Sequence, residues 1–86
     1  MAKVLVLQGA DDPTASNKVI LDFQKEMRDA KVDWQMNIYG GAVHRFTNPK
    51  AGNNPESGFA YNEKADKRSW EAMKVFFNEI FSEESR

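Results

Sequence analysis

The sequence predicts an α/β fold with the element order β-α-β-α, two parallel strands flanked by helices. Three observations carry that expectation. Val4-Leu5-Val6-Leu7 is apolar without alternation, an apolar stripe of helical period runs between Asn17 and Lys31, and Trp34 to Tyr39 alternates with period two. A solid apolar run is the mark of a strand covered on both faces, as parallel strands are. A strand, a helix of about fifteen residues and a second strand form a β-α-β unit, whose crossover requires the strands to be parallel.

The first strand ends at Gln8-Gly9. Gly9 to Thr14 is turn chemistry, with Pro13 suited to opening a helix and Thr14 or Ser16 available as its N-cap. From Asn17 to Lys31, steps of 100° bring Val19, Ile20, Phe23, Met27 and Ala30 within about 100° of one another and leave Lys18, Asp22, Lys25 and Asp29 elsewhere. Only Leu21 falls well off that stripe. In the second strand Trp34, Met36 and Ile38 share one face, with Gln35, Asn37 and Tyr39 on the other. Both Trp34 and Met36 read as packing residues, and burial under the last helix is the simplest fate for the tryptophan.

Between Gly40 and Glu63 the glycines, prolines and asparagines forbid continuous regular structure. The stretch holds the only histidine, His44, with Phe46, Phe59 and Tyr61, and these aromatic bodies suit an ordered loop better than disorder. A final helix, from about Lys64 to Ser82, sets Trp70, Met73, Phe76, Phe77, Ile80 and Phe81 in an arc of about 140°. That stripe reads as core. The tail Glu83-Glu84-Ser85-Arg86 reads as a frayed end.

At 86 residues the chain, 1–86, is expected to form one domain with a small core. A net charge of -1 gives no electrostatic case for nucleic acid or an anionic membrane. The absence of cysteine removes disulfides, thiolate metal sites and a cysteine nucleophile. One histidine and scattered carboxylates do not make a metal site, and no cofactor is expected. The four apolar residues after Met1-Ala2-Lys3 are too few for a signal segment or membrane span, so a cytoplasmic location is expected.

The residues at two turns resemble a known family. Val4 to Pro13, with the sequence Gly9-Ala10-Asp11-Asp12, looks like the strand and turn that carry the triad acid in α/β-hydrolases, the acid standing three residues after the glycine. Tyr39-Gly40-Gly41-Ala42-Val43-His44-Arg45-Phe46-Thr47-Asn48-Pro49 resembles the histidine loop of the dienelactone hydrolase family. Ala60-Tyr61-Asn62-Glu63-Lys64-Ala65 and Ser69-Trp70 resemble the family's segment on the C-terminal side of that loop. The resemblance runs from about Val4 to Phe81 and implies the C-terminal β-α-β-α segment of such a hydrolase, with Asp12 and His44 at triad positions. It also implies that the first strand lies one place inside the sheet edge and the second at the edge.

A carboxylate beside a histidine fixes the ring tautomer and stabilises the imidazolium formed when the ring takes a nucleophile's proton. Against this stand simpler readings, a surface loop histidine for His44 and an Asx-turn or capping role for Asp12. The capping and triad roles of Asp12 are compatible. Arg45, Phe46 and Asn48 are the candidate substrate contacts. Arg45 has the charge to bind an anion, though a solvated loop arginine is the simpler reading. In the family the position of Asn48 holds an arginine that takes the substrate carboxylate. Ser16, Ser57, Ser69 and Ser82 all lack the Gly-x-Ser-x-Gly surroundings of a nucleophile elbow.

The expected function is therefore that of a truncated dienelactone hydrolase-like protein, non-catalytic alone and acting as a binding or oligomeric accessory. The alternative is a carboxylic-ester hydrolase half completed by another chain that carries the elbow. A weak esterase using Ser57 or water is the third reading. An apolar first strand with an open edge invites pairing, and the expected partner is a second copy, giving a homodimer through that edge and a sheet of about four strands.

Overall fold

The computed structural model describes residues 3–84 and has the order β1 (Lys3–Gly9), α1 (Asn17–Ala30), β2 (Asp33–Tyr39), α2 (Glu63–Glu84). Two short 3₁₀ turns, Pro49–Ala51 and Pro55–Ser57, lie in the loop before α2. The strands pair in parallel, from Lys3 opposite Asp33 to Gly9 opposite Tyr39. The expected order and strand direction are therefore found.

Each helix boundary has a local cause. Ser16, not Thr14, is the α1 N-cap, its Oγ accepting from Val19 N–H at 3.3 Å. At the other end Lys31 adopts φ 55° and donates its N–H to the Arg28 carbonyl. Asn62 starts α2, its Oδ1 accepting from Ala65 N–H at 3.0 Å while its carbonyl accepts from Asp66 N–H at 2.8 Å. The last helix runs on to Glu84, two residues further than its apolar stripe predicts. Ser85 and Arg86, the end of the expected frayed tail, lie outside the described residues.

Strand alternation combined with this register sorts the side chains between the helices. Trp34 and Met36 share the face of α1, where Gln24 donates to Met36 Sδ at 3.6 Å and the Arg28 guanidinium lies 5.8 Å from the Trp34 ring centre. Trp34 thus meets the first helix and not the last. On the opposite face Leu7 and Tyr39 pack against Ala42, Phe46 and Ala65, the last from the first turns of α2. Phe46 and Tyr39 meet ring to ring at 5.7 Å. The buried residues, Ala42, Val43, Phe46, Ala60, Ala65 and Ser69, belong to the histidine loop and the start of α2. The tightest part of the molecule is where the loop closes.

Elsewhere cover is thinner than the apolar patterns suggest. Residues Lys3 to Gln8 of β1 are only half-buried, because among the described residues the sheet has two strands and one edge of β1 has no neighbouring strand. Trp70, Phe77 and Phe81 are 56%, 47% and 60% exposed, although the stripe reads as core. Geometry explains the difference. A 22-residue helix is about 33 Å long, whereas a seven-residue strand spans about 23 Å, so α2 outruns the sheet. At 100° per residue Trp70, Phe77 and Phe81 also lie about 100° or more round the helix from the meridian of Ala65 and Ser69 that faces inward. No helix among the described residues is long and apolar enough to cross a membrane.

Candidate active site

The turn after β1 and the loop after β2 lie side by side at the carboxyl ends of the two strands, where open α/β sheets build their ligand sites. Backbone hydrogen bonds tie them: Ala10 N–H donates to the Tyr39 carbonyl at 2.8 Å and Asp11 N–H to the Ala42 carbonyl at 2.9 Å. Gly9 permits the approach, since a Cβ there would stand 2.6 Å from the Ala42 carbonyl oxygen. On the far side Gly58, at φ 87°, abuts Pro13.

His44 is held by its own backbone. Its N–H donates to the Gly58 carbonyl at 3.1 Å and its carbonyl accepts from Ala60 N–H at 3.3 Å, a parallel bridge to Phe59. The Phe59 ring stands edge-on to the imidazole at 5.8 Å. The result is that His44 Nδ1 lies 3.0 Å from Asp12 Oδ2. With Nδ1–H donating to that carboxylate, Nε2 has its lone pair available.

Asp12 is clamped before the histidine reaches it. Thr14 donates to Oδ1 twice, through its hydroxyl at 2.6 Å and its backbone N–H at 2.8 Å, and Gln8 Nε2 approaches Oδ2 at 3.4 Å. The Asp12 side chain is 9% exposed and that of His44 40%. Burial pushes the Asp12 carboxyl up, but the hydrogen bonds from Thr14 and His44, with the charge of His44, outweigh it and hold the carboxyl below its ordinary value of 3.8. A carboxyl lowered on folding stabilises the fold at every pH above its unfolded pKa. That contribution disappears as pH falls through the folded value. The stability advantage of the wild type over Asp12→Asn is thus expected to be flat above about pH 5 and to shrink progressively below about pH 4. Urea titrations of both proteins across that range check this, and a gap that widens on acidification contradicts it.

A hollow of about 440 Å³ opens over the pair, its apolar wall formed by Leu7, Val43 and Phe46. Arg45 and Thr47 also line it. Of the three candidate substrate contacts, Arg45 faces the hollow, its guanidinium 5.8 Å from the Phe59 ring centre. Phe46 reaches it only as part of the wall, being otherwise buried against Tyr39. Asn48 is a turn cap, its Oδ1 accepting from Lys50 N–H at 2.9 Å, and it does not line the hollow. Ser57 is also occupied elsewhere: its hydroxyl lies 2.8 Å from the Asn54 carbonyl and 2.7 Å from that of Phe59. No serine hydroxyl among the described residues is hydrogen-bonded to His44.

Sequence reasoning missed Thr14 as a partner of Asp12 and Phe59 as a neighbour of His44. Thr14 carried a usable signal, since Asp-x-Thr is an Asx-turn spacing. Phe59 carried none, fifteen residues from the histidine across a loop of no period. Among the described residues no group of three or more His, Asp or Glu is placed to hold a metal ion.

Comparison with known proteins bears on the same region. The family model for the dienelactone hydrolase family matches residues 1–81. The uncharacterised protein K02A2.1 of Caenorhabditis elegans is 34% identical over 79 residues, which are 92% of this chain and 50% of that protein. Among solved structures, m3DLH superposes with a TM-score of 0.84 at 40% identity, covering 93% of this chain and 33% of its own. P91, a dienelactone hydrolase-like promiscuous phosphotriesterase from metagenomic libraries, gives 0.78 at 44% identity, over 88% of this chain and 32% of its own. The chain spans half the length of the curated relative it matches and about a third of each solved one. With residues 1–81 of its 86 matched by the family's model, and with superposition on about a third of each of these two solved structures, this chain belongs to the dienelactone hydrolase family.

Proposed function

We propose that the chain supplies the acid–base half of a carboxylic-ester hydrolase, Asp12 and His44, to a nucleophile and oxyanion donors contributed by polypeptide outside these 86 residues. The observation that supports this best is the 3.0 Å contact between His44 Nδ1 and Asp12 Oδ2 at the floor of an open hollow. Nε2 takes the proton of a serine hydroxyl or cysteine thiol as the nucleophile attacks the ester carbonyl. When the carbon–oxygen bond to the leaving group breaks, the same nitrogen returns the proton to the departing alkoxide. Water then repeats the cycle on the acyl group. Asp12 keeps the ring in the tautomer that leaves Nε2 basic, and carries no proton itself.

Alone, the chain is non-catalytic. The test is hydrolysis of p-nitrophenyl acetate by the purified chain, and by the chain refolded with the elbow-bearing N-terminal two-thirds of a dienelactone hydrolase-like relative. Turnover is expected only in the second, and only with His44 intact. Equal turnover by the isolated chain and its His44→Ala variant, or none in the reconstituted pair, refutes the reading.

The open edge of β1 supports an oligomeric role when no such partner is present. Val4 to Leu7 offer an apolar, half-buried strand with one side unpaired among the described residues, and two copies joined antiparallel at this edge close a four-stranded sheet with two-fold symmetry. Light scattering on a size-exclusion column is expected to give twice the chain mass at micromolar concentration. A folded monomer there excludes the dimer.

A further inference from the structure

The hydroxyl of Thr14 is required by neither the turn nor the helix between which it lies. The turn needs only the backbone N–H of residue 14, which donates to Asp12 Oδ1 at 2.8 Å and which any residue but proline supplies. The helix is capped by Ser16. Among the described residues the partners of Thr14 Oγ1 are Asp12 Oδ1 at 2.6 Å and, at the limit of hydrogen-bond reach, His44 Nδ1 at 3.5 Å. The side chain also lines the hollow over the pair.

A hydroxyl has one proton to donate and two lone pairs to accept with. The ionised carboxylate of Asp12 can only accept, so the threonine proton lies on the 2.6 Å line to Oδ1. Towards His44 the same oxygen then offers lone pairs alone. Nδ1 is thus faced by two acceptors, Asp12 Oδ2 at 3.0 Å and Thr14 Oγ1 at 3.5 Å. A bare Nδ1 would oppose its lone pair to theirs, so the ring proton stays on Nδ1 and Nε2 stays basic. Two donors on Oδ1 also stop the carboxylate from turning about its Cβ–Cγ bond, a rotation that carries Oδ2 away from the ring. Gln8 does not replace the hydroxyl, since it reaches Oδ2 only at 3.4 Å and lies nearer the Gly9 carbonyl, at 3.1 Å. Nor does this geometry make Thr14 a nucleophile: it stands at Nδ1, the nitrogen already given to Asp12, and its own proton goes to a carboxylate.

We propose that Thr14 is a positioning residue of this site, its hydroxyl holding Asp12 in line and the ring proton of His44 on Nδ1. The proposal rests on the reading of Asp12 and His44 as a hydrolase pair.

His44 is the only histidine, so nitrogen NMR of the chain labelled at histidine reports on one ring. At about pH 8.5, where an imidazole is neutral, wild type is expected to show Nδ1 protonated and Nε2 bare. Thr14→Val and Thr14→Ala both delete the hydroxyl and keep the backbone N–H. In each, the ratio of the Nδ1–H form to the Nε2–H form is expected to fall about tenfold, and Thr14→Ser is expected to restore it. In the reconstituted hydrolase kcat for p-nitrophenyl acetate should fall by a like factor with KM unchanged, serine again recovering it. A hydroxyl kept for folding alone gives lower melting with wild-type ring shifts. The proposal is overturned if wild type does not hold the proton on Nδ1, if the valine and alanine variants show the wild-type ring, if kcat in an active reconstituted Thr14→Val equals that of wild type, or if neither variant folds, the hydroxyl then being a requirement of the turn. The two readings fail separately. An inactive reconstituted enzyme whose ring ratio still responds to Thr14 refutes the hydrolase reading alone, and an active one indifferent to the hydroxyl refutes the role of Thr14 alone.

Discussion

Gly9→Val is expected to unfold this chain under conditions where the wild type is folded. The cause is the backbone that surrounds the position. A Cβ added at Gly9 would lie 2.6 Å from the Ala42 carbonyl oxygen, 2.9 Å from the Ala42 carbonyl carbon and 2.9 Å from the Val43 carbonyl oxygen. None of these atoms is the movable end of a side chain. Relief requires the loop to lift, and lifting it breaks the bond from Asp11 N–H to the Ala42 carbonyl and draws buried Ala42 and Val43 out of the core. Overpacking of this kind costs about 1–3 kcal/mol for modest insertions, and a branched side chain against three backbone atoms belongs at or above the upper end. A chain of this size has on the order of 4–13 kcal/mol of stability in all, and its small core puts it low in that range. The milder Gly9→Ala is expected to lose about 2 kcal/mol or more, measured as a shift in the urea midpoint. An alanine variant within about 0.5 kcal/mol of wild type means that the turn and the loop are not locked as described.

The second large effect concerns the acid–base pair. In the reconstituted hydrolase, Asp12→Asn is expected to lower kcat by about 10³- to 10⁴-fold with little change in KM. An asparagine in the same place still accepts Thr14's hydrogen bonds through its oxygen. Its NH₂ group then faces His44 Nδ1 as a donor, so Nδ1 becomes the acceptor and the ring proton moves to Nε2. The nitrogen that must take the nucleophile's proton is thereby blocked. His44→Ala removes the base outright and is expected to cost a similar factor, and the double variant no more than the worse single one, because the two residues act as a unit. Strictly additive losses in the double variant would mean that Asp12 and His44 act separately. Circular dichroism of Asp12→Asn guards the experiment, since Asp12 also organises the turn before α1 through Thr14.

How much of this was legible beforehand differs by element. The period-3.6 and period-2 patterns mark α1, β2 and α2 to within two residues, because helix and strand periods are imposed by local geometry. Asp12 and His44 were singled out because the turns that carry them resemble those of the dienelactone hydrolase family. Their meeting at 3.0 Å depends on residues of no periodic signal: Gly9 lets the loop approach, Gly58 and Ala60 fix the histidine backbone, and Thr14 turns the carboxylate. Asn48 illustrates the limit. The family resemblance puts it at a substrate position, whereas its short side chain closes locally on Lys50 N–H, a bond within two residues that forms at little entropic cost.

The same division explains the apolar stripes. An apolar residue is recorded in the sequence as needing cover, but what covers it is a property of three dimensions. Trp34 received its cover from α1, because parallel register and strand alternation put it on that face. Trp70, Phe77 and Phe81 remain exposed because α2 is longer than the sheet beneath it and turns them away from the buried meridian. The amino-acid sequence by itself determined the element order, the helix stripes and the two turns that carry Asp12 and His44, since these depend on period, capping and turn chemistry within a few residues. The tertiary structure alone decided which faces are buried, which loop residues grip the pair and where Arg45 stands, since these depend on contacts between separate segments whose closeness no local pattern encodes.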